Sequence, residues 1–315
     1  MIQTEHLTKK FNTFTALNDV SCKIQNGSIY GMVGSNGAGK STFLRLISGV
    51  YLPDSGSIQI DNEPVYENPA VKERICYIPD TLYFLPGASM NRMAKLYASI
   101  YTRFDWQRFQ ELTEAFELNP KASIHSFSKG MKRQASIILS LSCHPDYMFF
   151  DETFDGLDPV MRNLVKGLIC KDVAEYNATT IITSHSLREL EDLCDQLSLL
   201  HKGGLVLESD IDNLKTRQFK VQIAFNHPYD ETLFQDIPHI HFKKMGSVSS
   251  MIVKGDREIT TAKLTSLSPV LLDILPLTLE EVFTYEMESL GYNFDKILEE
   301  KDEEQKEIIS FKPVS

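Results

Sequence analysis

Gly34-Ser35-Asn36-Gly37-Ala38-Gly39-Lys40-Ser41-Thr42 fits the spacing G-x-x-x-x-G-K-[ST] at every fixed position, and the rest of the chain is arranged around it. Glycine at 34, 37 and 39 permits positive φ and leaves no Cβ in the way, so successive N–H groups can turn inward around an anion. Lys40 adds a point charge within reach of β- and γ-phosphates, and Ser41 offers a hydroxyl to Mg²⁺. A helix that starts here points the positive end of its dipole at the same anion. The flanks agree with this reading. Ser28–Val33 reads as a buried strand and Thr42–Ser48 as a helix. The stretch therefore predicts a nucleoside triphosphate held by residues 34–42, with Mg²⁺ beside it.

Length and composition bound what surrounds the loop. The 315 residues suggest one large domain and a smaller one. A content of 42% hydrophobic and 24% charged residues is that of an ordinary globular chain. The net charge of −11 argues against a broad nucleic-acid footprint, so no nucleic-acid partner is expected. Five cysteines, at 22, 76, 143, 170 and 194, stand singly without a C-x-x-C pair. That pattern predicts reduced thiols and a cytoplasmic location rather than disulfides or a zinc site. The first residues lack a basic then apolar leader, and no window approaches 18 uninterrupted apolar residues. A role at a membrane would then have to come through another chain.

Along the chain, residues 1–33 read as short strands with turns at Lys9-Lys10, Asn12 and Asn26-Gly27. Phe11 is suited either to stacking on a nucleobase or to anchoring the small sheet, with Phe14 a second candidate. Arg74–Ile78 reads as a strand ending at Pro79-Asp80. Residues 90–117 read as mostly helical, with Met93, Leu96, Tyr97, Ile100 and Tyr101 forming a stripe better suited to a core than to a ligand. A second helix is expected over Lys132–Ser142, with Ser128 able to cap it and Gly130 allowing close backbone approach. Tyr147-Met148-Phe149-Phe150 predicts a buried strand that ends on two acids, Asp151 and Glu152. After a phosphate-binding loop, acids so placed can hold Mg²⁺ and orient or deprotonate water. Thr179–Ser184 repeats the pattern and ends on His185.

Together these pieces resemble the nucleotide-binding subunit of an ATP-binding-cassette (ABC) transporter over roughly residues 1–212. Gly34 to Thr42 match the Walker A motif, Asp151 the Walker B aspartate, and Glu152 the catalytic glutamate. Gly156-Leu157-Asp158 looks like the D-loop and His185 like the switch histidine. Phe11 sits where the family places its adenine-stacking aromatic, and Ser128 and Gly130 match two positions of the L-S-G-G-Q signature. The resemblance implies an α/β P-loop NTPase domain (residues 1–214) with an antiparallel β subdomain and a helical subdomain. It also implies ATP and Mg²⁺, a second ABC ATPase subunit that completes an ATP sandwich, and a separate transmembrane permease. The location would be peripheral, on the inner face of the membrane. Three features depart from the pattern: the signature, with Lys129 and Met131; Asp80 where the Q-loop glutamine is usual; and Thr153 where a proline follows the glutamate. Asp80 is expected to join Ser41 and Asp151 at the metal. The departures look like the ABC-2 exporter branch that includes antibiotic-resistance and GntR-regulated systems. A non-transport ABC ATPase or an ATP-dependent sensor is the alternative.

Residues 215–315 are less legible. Phe219–Phe225 and Ser250–Val253 read as strands, and Thr278-Leu279-Glu280-Glu281 as a capping box opening an amphipathic helix. A small α/β accessory or regulatory domain is expected there, followed by an acidic tail at Glu299–Glu304.

Overall fold

The computed structural model describes residues 1–211 and 218–289. The chain divides into two compact units, Met1–Ile211 and one beginning at Asp212. The boundary expected at 214/215 and the acidic tail lie outside the described residues.

The first unit carries two sheets. In the smaller one, β1 (Ile2–Phe11), β2 (Phe14–Ile24), β4 (Ser55–Ile60) and β5 (Glu63–Pro64) are ordered β2-β1-β4-β5, with antiparallel neighbours. The expected turn at Lys9-Lys10 is instead part of β1. The two lysines pair with Leu17 and Thr15 across a register shift, and the chain reverses only at Asn12-Thr13. The bulge absorbs the irregularity that turn-like residues suggested.

The larger sheet follows the order β10-β9-β3-β8-β7-β6. Here β3 (Ile29–Val33), β6 (Ile75–Ile78), β7 (Tyr147–Asp151), β8 (Thr179–Ser184) and β9 (Gln196–His201) run parallel, and β10 (Gly204–Asp210) is an antiparallel edge. Every residue of β3, β7 and β8 is buried, which explains their continuous apolar or hydroxyl runs. The helix after the loop, α1 (Lys40–Ile47), buries Phe43, Leu44, Leu46 and Ile47 against a core that includes Tyr30, Met32, Phe149 and Ile181. Each of those four side chains contributes about 1.5–3 kcal/mol, so the loop is mounted on a rigid support.

The short α2 (Pro69–Lys72) precedes β6. The expected long helical stretch is two helices, α3 (Met90–Ile100) and α4 (Trp106–Ala115). Asp105 caps the second by accepting from the N–H groups of Gln107 and Arg108. Its extended backbone breaks the run. Met93 is buried as expected, but Ile100, the last residue of α3, is exposed. Helix α5 (Lys129–Leu141) starts one turn earlier than expected, because the Ser128 hydroxyl accepts from the Met131 N–H and fixes the start. Helices α6 (Pro159–Tyr176) and α7 (Leu187–Glu191) follow β7 and β8.

The second unit holds an antiparallel sheet ordered β12-β13-β11-β14, built from β11 (Gln218–Ala224), β12 (His239–Met245), β13 (Val248–Lys254) and β14 (Leu271–Pro276). One face closes over a core of Phe219, Val221, Ile223, Phe234, Met251, Val253 and Leu264, the last from α8 (Arg257–Ser266). Helix α9 (Leu279–Ser289) opens on the expected capping box. The Glu281 N–H donates to the Thr278 hydroxyl (3.2 Å), and the Thr278 N–H returns to the Glu281 carboxylate (3.0 Å).

Candidate nucleotide site

Parallel pairing in the register Val33↔Ser184 and Asp151↔Thr183 aligns the C-terminal ends of β3, β8 and β7. Ligands of open α/β sheets gather at that edge. Chain stretches more than 100 residues apart meet there.

The loop itself is shaped by its glycines, in two different ways. Gly37 and Gly39 adopt positive φ (80° and 111°). Gly34 does not, and is required for space instead: a Cβ there would lie 2.4 Å from the Leu200 carbonyl oxygen. Gly39 is the N-cap of α1 and offers no side-chain cap, so the first-turn N–H groups have no side-chain acceptor there. An uncapped helix start behind a glycine loop fits a phosphate group.

Lys40 is almost fully buried, and its Nζ donates to the carbonyls of Gly34 (2.6 Å) and Ser35 (3.2 Å). It also pairs with Glu152 Oε1 at 3.1 Å. Glu152 sits in the left-handed region (φ 47°), and its N–H donates to the Thr183 carbonyl. Its other carboxylate oxygen lies 3.7 Å from His185 Nδ1. This backbone turn aims the carboxylate back toward the loop rather than along the strand.

Asp151 is fully buried and gathers three hydroxyl groups. Ser41 (3.0 Å) and Thr183 (2.9 Å) donate to Oδ1, and Tyr77 (3.1 Å) donates to Oδ2. Burial, then the Asp151 charge, push the Tyr77 phenol well above its ordinary value, with Arg45 pulling the other way. Ser41 and Asp151 offer hard oxygen atoms of the kind Mg²⁺ takes.

The structure thus brings Gly34–Thr42, Asp151, Glu152 and His185 together. Asp80 has a different partner: Arg133 donates to its carboxylate at 3.1 Å, and no hydrogen bond or ion pair of Asp80 reaches residues 34–42 among the described residues. Ser128 and Gly130 also make no such bond to the loop of their own chain. Gly130 instead abuts the Gly156 carbonyl, to which a Cβ would come within 2.9 Å. Phe11 closes the β1–β2 turn, is 40% exposed, and meets Tyr51 edge-on at 5.5 Å. Thr153 is fully buried with an unpartnered hydroxyl.

Three residues of the site escaped the sequence reading. Tyr77 and Thr183 lie inside strands, where a hydroxyl reads as packing. Asp155 joins Glu152 and His185, with ligating atoms within 4.8 Å of one another. Only the pattern of a polar residue near the end of each parallel strand would have pointed to the first two.

Comparison with known proteins agrees with this geometry. Residues 17–155 match the family model described as ABC transporter. The chain is 33% identical over 284 residues to the ABC transporter ATP-binding protein YtrB of Bacillus subtilis, covering 90% of this chain and 97% of the relative. It is 32% identical to the bacitracin transport ATP-binding protein BcrA of Bacillus licheniformis, over 70% of this chain and 73% of that one. Among solved structures, an ATP-binding subunit of an ABC transporter superposes with a TM-score of 0.64 at 26% identity, over 68% of this chain and 92% of its own. The chain belongs to the ATP-binding proteins of ABC transporters and is an ABC-type ATPase.

Proposed function

We propose that this ATPase powers a separate membrane permease and works as a dimer in which two ATP molecules lie between subunits. The observation that carries the reading is the meeting of Lys40, Glu152 and the Ser41–Asp151 pair at one sheet edge. Lys40 would leave its loop carbonyls for the β- and γ-phosphates, and the Gly37–Thr42 N–H groups would cradle them. Glu152, released from Lys40, would orient and deprotonate the attacking water, with His185 steadying the γ-phosphate. Mg²⁺, held by Ser41 and Asp151, would neutralise charge developing on the phosphate oxygens. Phe11 would stack on the adenine.

The dimer is supported by what the chain does not use at home. Ser128 and Gly130 stand at the start of α5 without a bond to their own phosphate loop, available to close the site of a second copy or a close paralogue. No described helix is long and apolar enough to cross a membrane, so coupling to one would run through another chain. Leu82, Tyr83, Phe84 and Leu85, with Tyr83 77% exposed, border a cavity of about 200 Å³ beside Ile124 and His125. Apolar exposure of that kind suits a permease segment. The relatives that are antibiotic transport and resistance proteins favour export of an antibiotic-like compound. The unit beyond Asp212 would be an accessory domain, and the chain would sit at the inner membrane face.

Glu152→Gln tests the site and the dimer together. It should retain ATP, lose nearly all hydrolysis, and run as an ATP-dependent dimer on gel filtration; wild-type turnover would remove Glu152 from its role. Purification of the tagged chain from detergent-extracted membranes should bring down an integral membrane protein. Recovery without one would count against the permease.

A further inference from the structure

Arg133 is the largest fully buried side chain described, 1% exposed within α5. A buried guanidinium needs a carboxylate and full use of its donors. It finds the carboxylate and one carbonyl just after β6: Nη1 donates to the Pro79 carbonyl (2.9 Å) and Nη2 to Asp80 Oδ1 (3.1 Å). Among the described residues Asp80 is its one ion-pair partner. With a neutral glutamine at 80 this charge would lose that partner. The aspartate at 80 is therefore matched by the arginine.

We propose that Arg133 is a positioning residue that locks the loop after β6, through Pro79 and Asp80, to the start of α5. Two loops converge on the first turns of α5. Arg133 holds Pro79 and Asp80, Gly130 abuts Gly156 in the loop after β7, and Ser128 fixes the helix start only five residues before Arg133. A rigid helix of that length transmits a displacement of Pro79-Asp80 to Ser128 and Gly130. Those are the two residues that face a second subunit's ATP in the function proposed above, on which this inference rests. The lock therefore acts on turnover, which needs Ser128 and Gly130 correctly presented, and leaves ATP capture by residues 34–42 alone.

The full-length protein tests this with three variants: Asp80→Ala, Arg133→Lys, which keeps the buried charge but loses the fork, and the pair combined. Calorimetry at several Mg²⁺ concentrations gives ATP affinity, and steady-state hydrolysis gives kcat and KM. Asp80→Ala and Arg133→Lys should each lower kcat by roughly tenfold, the scale of one charge-assisted contact, with the double variant little worse than either single. ATP affinity and its Mg²⁺ dependence should stay within about twofold of wild type, since neither residue touches the phosphate loop. Two results would overturn the proposal. One is a marked shift in Mg²⁺ dependence for Asp80→Ala alone, which would make Asp80 a metal ligand. The other is fully additive losses, which would make the two residues independent. Should Arg133→Lys fail to fold, Asp80→Asn at the half-exposed end of the pair gives the same discrimination through kcat against Mg²⁺ dependence. Failure of the underlying functional reading shows up separately, as a Glu152→Gln variant that stays monomeric on gel filtration with ATP.

Discussion

Replacing Tyr77 by phenylalanine removes one oxygen and leaves the ring, so the packing around β6 stays filled and the hydrogen bond to Asp151 is lost. That bond is 3.1 Å long, and among the described residues it is the one reaching Oδ2 of a carboxylate with no exposed surface. A hydrogen bond to a charged group contributes about 1.5–3 kcal/mol. The length of this bond and the partial exposure of Tyr77 place the expected loss near the lower end, about 1.5–2 kcal/mol. The phenol is raised above its unfolded value by burial and by Asp151. A raised acid contributes fully below its unfolded value and loses that contribution as pH rises through the folded one. The wild-type advantage should therefore be constant from neutral pH to about 9 and shrink above about 10. Urea titration of the full-length chain at several pH values, followed by far-UV ellipticity, measures it. A loss under about 0.5 kcal/mol at neutral pH would refute the assignment of that bond as a supporting one. So would a loss that grows above pH 10.

Other expectations are simpler. Lys40→Ala should weaken ATP binding by about 10- to 100-fold, because one charge-assisted contact is lost and Glu152 is left facing the phosphates; calorimetry decides it, and unchanged affinity would remove the loop from the site. Gly34→Ala should cost about 1–3 kcal/mol of stability, because its Cβ would strike the Leu200 carbonyl, where no side chain can move aside. Gly37→Ala meets open space and should cost only the left-handed backbone term, about 1–2 kcal/mol. Thermal scans of the two alanine variants should therefore rank Gly34→Ala as the more damaging.

Local residue order was enough to locate the phosphate loop, the two acids at the end of β7 and the capping box at Thr278. Each is a short-range pattern whose physics is local: glycines that turn, a lysine at the next position, an acid where a buried strand ends. The same order placed Asp151 and Ser41 in one role although they lie 110 residues apart, because a parallel sheet gathers strand ends at one edge. It left three matters open. Whether Gly34 serves φ or space depends on Leu200, which β9 brings alongside. The hydroxyl donors Tyr77 and Thr183 belong to strands whose residues all look like packing until the neighbouring strand is known. Asp80 reads as a metal ligand from its motif position, yet its partner comes from a helix 53 residues onward. A buried guanidinium takes the nearest carboxylate the fold supplies, and that choice is made only when the chain has closed around it.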